Sequence, residues 1–154
     1  MNRLEARRSV FAGHSYIDFA FHCKLAGEVP SNTIGEIREA IESGVASFKI
    51  FTTFRSKVPY GHLWAIFETV GINGGIMAVH AEDHDMVKYM EAKLIREGRY
   101  QGYNLHLAHH HISEDIYFRK LIRPSEHTDT GTYFVHTHAK ERTFATATAR
   151  HTHL

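Results

Sequence analysis

Three residues in this 154-residue chain stand where apolar strands would present them for chemistry. Lys49 interrupts the apolar run SFKIF, His80 ends GIMAVH and His136 ends TYFVH. Burying an ammonium without a partner is costly, so a lysine inside an apolar strand shifts toward its neutral amine or is chemically used. A desolvated amine can take up carbon dioxide as a carbamate, which gains two oxygens and a negative charge and can bridge two cations while neutral imidazoles supply nitrogen donors. Two zinc-like ions held in this way would polarise a carbonyl and bring the pKa of a bound water to about 7. The plainer reading stands beside it: a lone histidine ending a strand is more often a hydrogen-bonded structural residue than a ligand. Fourteen histidines are nevertheless the one abnormal feature of the composition.

For side chains so far apart in sequence to converge, their strands must be parallel neighbours, as in barrels whose chemistry sits at the C-terminal strand ends. The apolar patterning predicts strands at Tyr16 to Phe21 (YIDFAF), Val45 to Phe51, Gly75 to His80 and Thr132 to Val135. Between them it predicts a helix opening at Ser31 and closed by Gly44, and further helices over Leu63 to Val70, Asp85 to Glu97 and Ile112 to Ile122. Nearly continuous apolar strands alternating with helices imply an α/β fold with parallel strands, either an open sheet or a segment of a barrel. Neither a linker nor an internal repeat divides the chain, so one domain is expected.

Composition narrows the classes. With 43% hydrophobic and 23% charged residues the chain has the profile of one globular domain, which excludes a disordered tail, a membrane protein and a small disulfide scaffold. A formal charge of +1 supplies no electrostatic argument for nucleic acid or an anionic membrane, and neither is expected as a partner. The single cysteine, Cys23, excludes an intramolecular disulfide, and MNRLEARRSV lacks the apolar run of an export signal, so the cytoplasm is the expected compartment.

Four segments, SYIDFAFH at Ser15 to His22, GVASFKIF at Gly44 to Phe51, MAVHAED at Met77 to Asp83 and YFVHTHAKE at Tyr133 to Glu141, together resemble the cyclic amidohydrolases of the hydantoinase and dihydropyrimidinase branch. The resemblance implies a TIM-type (β/α)8 barrel in which Lys49 is carboxylated and bridges two zinc ions, with His80 and His136 as ligands of one of them. It further implies hydrolytic opening of a small cyclic amide, of hydantoin or dihydropyrimidine type, by a metal-activated hydroxide. Zinc is the expected metal, although histidine and carbamate ligands also suit manganese, cobalt or nickel, and carbon dioxide is needed to carboxylate the lysine.

Departures from the family pattern are specific. The His-x-His pair that ends the family's first barrel strand does not precede YIDFAFH, and the family's catalytic Asp is not found. His136-Thr-His138 and His151-Thr-His153 have the literal spacing but not the position. Phe54 stands five residues after the lysine, where the family has a tyrosine that donates to the developing oxyanion; loss of one such donor costs about 10² to 10³ in rate. Residues 1–141 therefore read as a partial barrel of about four or five strands with flanking helices, and 142–154 as an unassigned tail. Open sheet edges and apolar faces in a partial barrel predict a homo-oligomer.

The run His109 to His111 reads as a solvated loop, because adjacent helical residues do not share a face and no metal-ligand spacing is present. Glu82 and Asp83 could orient His80 or cap the following helix. Two rival functions accompany the hydrolase, which is expected to be incomplete as an isolated chain: a non-catalytic remnant or assembly protein related to dihydropyrimidinase, and a histidine-rich metal-binding protein.

Overall fold

The computed structural model describes residues 2–139. The tail 142–154, with its His151 and His153, and the Lys140-Glu141 end of the last motif lie outside the described residues. Four strands, β1 (Cys23–Lys24), β2 (Ser47–Phe51), β3 (Ile76–His80) and β4 (Gly131–Phe134), form one all-parallel sheet in the order β1-β2-β3-β4. The helices are α1 (Asn2–Phe11), α2 (Ser31–Glu42), α3 (Tyr60–Ile72), α4 (His84–Arg96), the short α5 (Leu105–Ala108) and α6 (His111–His127). Among the described residues no helix is long and apolar enough to cross a membrane. This is an α/β segment of four strands with flanking helices, as the alternation predicts.

Alternation along the strands decides what faces the helices. Phe48 and Ile50 of β2 and Met77 and Val79 of β3 are buried in one core with Ile37, Leu63, Ile66, Phe67, Val70 and Leu121 from the helices. The intervening residues point to the other face of the sheet, where Lys24, Lys49, Ala78 and Tyr133 form one register row and Phe51 and His80 are paired in the next functional layer. That face is the wall that would line a barrel interior.

Helices and strands are joined by one repeated device. After α2, Gly44 (φ 89°) donates to Ile41 O and Val45 donates to Ala40 O, so a left-handed residue closes the helix and turns the chain directly into β2. Gly74 and Gly98 end α3 and α4 in the same way, with φ of 72° and 69°. At the end of α6 the equivalent position is Asp129, at φ 49°.

One expected strand is displaced. Tyr16 to Phe21 is not extended in the sheet; β1 lies after it and is only two residues long. The rings of Phe11, Phe19 and Phe21 pack on one another at centroid distances of 5.5 to 5.6 Å, so the apolar side chains that signalled a strand are satisfied by a local aromatic cluster beside the end of α1.

Candidate functional site

The site is assembled by loops that leave the C-terminal ends of β2, β3 and β4. Buried Thr52, just beyond β2, donates through Oγ1 to Glu82 O at 2.7 Å and accepts from Glu82 N at 2.8 Å, while its own N–H donates to His80 O at 3.1 Å. This stitches the first residues after β2 to those after β3. Asp83 accepts from Met86 N at 2.9 Å and so caps α4, and its N–H donates to Ser113 Oγ at 2.8 Å, which anchors α6 beside it. Of the two acidic residues that follow His80, Asp83 is thus the cap.

Glu82 has the other role. It is buried, its Oε2 lies 2.7 Å from His80 Nε2 and its Oε1 lies 2.8 Å from His109 Nδ1. Desolvation alone would raise its pKa, but the hydrogen bonds and positive charge of the two histidines outweigh that and hold it below the ordinary glutamate value. An ionised carboxylate only accepts, so His80 donates to it through Nε2 and His109 through Nδ1, and Nδ1 of His80 is the ring nitrogen that Glu82 does not hold. The expectation of a solvated loop fails for His109, whose side chain is 21% exposed and held by Glu82. His110 instead caps α6 by accepting from Ile112 N, and His111 is exposed.

His136 follows β4, whose continuation is tied to β3 by Val135 N donating to Val79 O at 3.0 Å. Its backbone is left-handed (φ 56°), and its ring centroid lies 5.8 Å from that of His80. Buried Glu114, in the first turn of α6, accepts from His138 N and Ala139 N at 2.8 to 3.2 Å and thereby secures the loop carrying His136. Phe54 is also left-handed (φ 63°), and its ring lies 5.4 Å from that of His80 and 5.6 Å from that of His109. Non-glycine residues in this backbone region are strained, and such strain clusters at functional sites. Phe54, His80, Glu82, His109, His136 and His138 share a cavity of about 310 Å³.

Lys49 does not line that cavity. It lies one inward-facing position below Phe51, which is itself paired with His80. Its Nζ is buried without a hydrogen-bond partner and 4.7 Å from the centre of the Phe51 ring, and burial lowers its pKa. The structure therefore brings His80 and His136 together at one level, with Lys49 beneath them. Among the described residues no three His, Cys, Asp or Glu side chains are grouped to hold a metal ion.

Sequence reasoning missed His109, Glu114 and Thr52. A triple histidine carries no directional spacing, and the partner of His109 stands 27 positions away, but Glu114 in the first turn of a predicted helix was a readable sign of a residue serving a helix start.

No family model matches the chain. The chain is 26% identical over 98 residues to the D-hydantoinase of Geobacillus stearothermophilus, a match that covers 62% of this chain and 21% of that protein. Among solved structures, a D-hydantoinase superposes with a TM-score of 0.88 at 22% identity over 99% of this chain and 34% of its own. The dihydropyrimidinase of Brevibacillus agri NCHU1002 superposes with a TM-score of 0.83 at 20% identity, covering 97% of this chain and 33% of its own. The fold is thus that of a segment of the hydantoinase barrel, and the resemblance read from the motifs extends to the three-dimensional structure. The chain spans about a fifth of the curated relative and about a third of these solved chains.

Proposed function

We propose that the ends of β2, β3 and β4 form part of the metal site of a hydrolase that opens cyclic amide rings of hydantoin or dihydropyrimidine type. The observation that carries this reading is the stacking of two levels on one sheet face: the paired rings of His80 and His136 above, and the buried, unpartnered Lys49 amine below. An orphaned amine in that place fits a lysine that becomes a carbamate, and the two imidazoles fit terminal nitrogen ligands. Lys49, His80 and His136 are the residues that would hold the metal. When bound, two zinc ions, or manganese, cobalt or nickel in their place, would supply Lewis acidity and lower the pKa of the attacking water.

The chain's own residues divide the remaining work. Glu82 fixes the His80 ring and directs its Nδ1 lone pair away from the carboxylate, a positioning role common among metal-binding histidines. His109 completes the neutralisation of Glu82. Glu114 holds the loop that presents His136. Phe54 closes one wall of the cavity with an apolar ring and has no proton to donate to a developing oxyanion.

Assembly belongs to the same proposal. The inner sheet face exposes Ile76 and Tyr133, which are 51% and 67% accessible, and a second copy covering that face would both bury them and bring further groups to the site. A homo-oligomer is therefore part of the reading, with the isolated chain incomplete as a catalyst and the cytoplasm as its compartment.

The test is ring opening of hydantoin and dihydrouracil, followed by chromatography, with added zinc and bicarbonate and with metal content measured on the same samples. Turnover that disappears in His80→Ala and His136→Ala, together with their bound zinc, supports the reading. Absence of both zinc binding and turnover in the wild-type protein overturns it.

A further inference from the structure

We propose that Lys24 is the counter-ion of a carbamate on Lys49, an inference that rests on the reading of Lys49 given above. Lys24 and Lys49 are register partners on the adjacent parallel strands β1 and β2, so their side chains leave the same face of the sheet. Both side-chain nitrogens lie against one ring: Lys24 Nζ is 5.1 Å and Lys49 Nζ 4.7 Å from the centre of Phe51. Lys24 is steadied by donating to Ser56 Oγ at 3.0 Å, whereas Lys49 Nζ has no hydrogen-bond partner. Among the described residues neither lysine has a carboxylate within ion-pair distance.

A positive charge on Lys24 disfavours a second one on Lys49 beside the same ring, and converting the neutral Lys49 amine to an anion makes the interaction between the two groups attractive. The step is simple to balance. The Lys49 Nζ lone pair attacks the carbon of carbon dioxide, an N–C bond forms, one C=O π pair moves onto oxygen, and the nitrogen releases a proton to solvent. The product carries one negative charge on two oxygens, which the Lys24 ammonium can neutralise by charge-assisted hydrogen bonding before any metal arrives. Lys24 is thus a positioning residue for the modification and takes no part in the later chemistry. Because Lys24 is exposed, solvent and salt screen the pair and its effect is small.

The test uses metal-free, full-length protein equilibrated with 13C-bicarbonate, with the carbamate carbon read by NMR against protein concentration. Lys49→Met identifies the signal by removing it. Lys24→Met is expected to lower the carbamate population about threefold, the scale of an exposed ion pair, while Lys24→Arg keeps it near the wild-type level. High salt should bring the wild-type population down to that of Lys24→Met and leave the variant unchanged. A Lys49-dependent signal that is equal in wild type and Lys24→Met overturns the role of Lys24 and leaves the carbamate standing. No Lys49-dependent signal in the wild type overturns the carbamate and this inference together. Lys24→Gln repeats the comparison with a polar side chain, and circular dichroism checks that each variant is folded.

Discussion

Glu82 grips His80 two residues behind it, with Oε2 at 2.7 Å from Nε2, and the same carboxylate reaches His109 through Oε1 at 2.8 Å. The contact bridges β3, the loop after it and the segment leading into α6, so one buried side chain sets the spacing of three elements. Replacing it removes two charge-assisted hydrogen bonds while leaving two half-buried imidazoles.

Glu82→Gln is expected to lose about 1 to 3 kcal/mol of stability at neutral pH, the cost of leaving partly buried polar groups badly matched. The sign of the pH dependence follows from linkage. A carboxylate whose folded pKa lies below its unfolded value contributes stability that is present above the unfolded pKa and is lost as pH falls through the folded one. The gap between wild type and Glu82→Gln should therefore narrow on acidification below the ordinary glutamate range. Urea titrations of both proteins at neutral and acidic pH measure it, and a gap independent of pH would show that Glu82 is not held ionised by its histidines.

Phe54 faces His80 and His109 from a left-handed backbone. Because the backbone already holds this side chain against the cavity, Phe54→Tyr adds a hydroxyl without rebuilding the loop. In zinc-loaded protein that opens rings measurably, the substitution is expected to raise kcat by up to about 10² with little change in KM, since a donor to a developing oxyanion acts in the transition state. Steady-state kinetics on hydantoin decide this, and an unchanged kcat would place the oxyanion beyond reach of position 54.

How far the sequence carried the fold and the site depended on where each signal originates. β2, β3 and β4 were legible because VASFKIF, GIMAVH and TYFV are short, nearly continuous apolar runs, the pattern of strands covered on both faces in a parallel sheet. The meeting of His80 and His136 was legible for the same reason: each ends an apolar strand, and parallel neighbours bring their ends together. β1 was not legible, because Phe19 and Phe21 look the same whether they face a helix layer or each other. The role of His109 was equally hidden, since its environment is set by Glu82 across the fold and not by its neighbours in the triple histidine. Glu82 and Asp83 could not be told apart by type; only the direction of the chain into α4 makes one a cap and the other a clamp.

Gly71 is a position where the fold admits no side chain. A Cβ there would clash with both Thr128 O and Thr130 Oγ1, close to where α6 passes into β4. Gly71→Ala is expected to cost about 1 to 3 kcal/mol, as overpacking at a rigid contact does. Gly35→Ala in α2 is the matched control, because nothing lies within 4 Å of its Cβ and the change should stabilise the helix by up to about 1 kcal/mol. Thermal unfolding of the two variants should move in opposite directions, and equal shifts would contradict the close approach at Gly71.

Asp129 occupies the left-handed position that glycine occupies after α2, α3 and α4. The motif at the end of α6 is otherwise the same, with Asp129 N donating to Glu126 O and Thr130 N donating to Ser125 O. Aspartate tolerates this backbone better than most residues, so the penalty is modest, and Asp129→Gly should raise stability by about 0.5 kcal/mol. Thermal or urea unfolding measures it; a loss of stability would mean that the Asp129 side chain contributes more than its backbone strain costs.

The inner face supplies the last expectation. Tyr133 shares a register row with Lys49 and Ala78, and Ile76 is paired with Ser47 and Gly131 one inward-facing position earlier, so their exposed apolar surface is continuous with the wall bearing the candidate site. Apolar groups on a sheet face gain free energy when covered, at about 25 cal/mol for each Å² removed from water. The wild-type chain is therefore expected to self-associate in a concentration-dependent way, and Ile76→Lys with Tyr133→Lys should shift it toward monomer by placing like charges on both sides of the contact. Sedimentation velocity across a concentration series reads the change directly. If the double variant and the wild type sediment identically as oligomers, association runs through another surface, such as the Phe11, Phe19 and Phe21 cluster or the exposed edge of β4; if both are monomers, the face needs no cover.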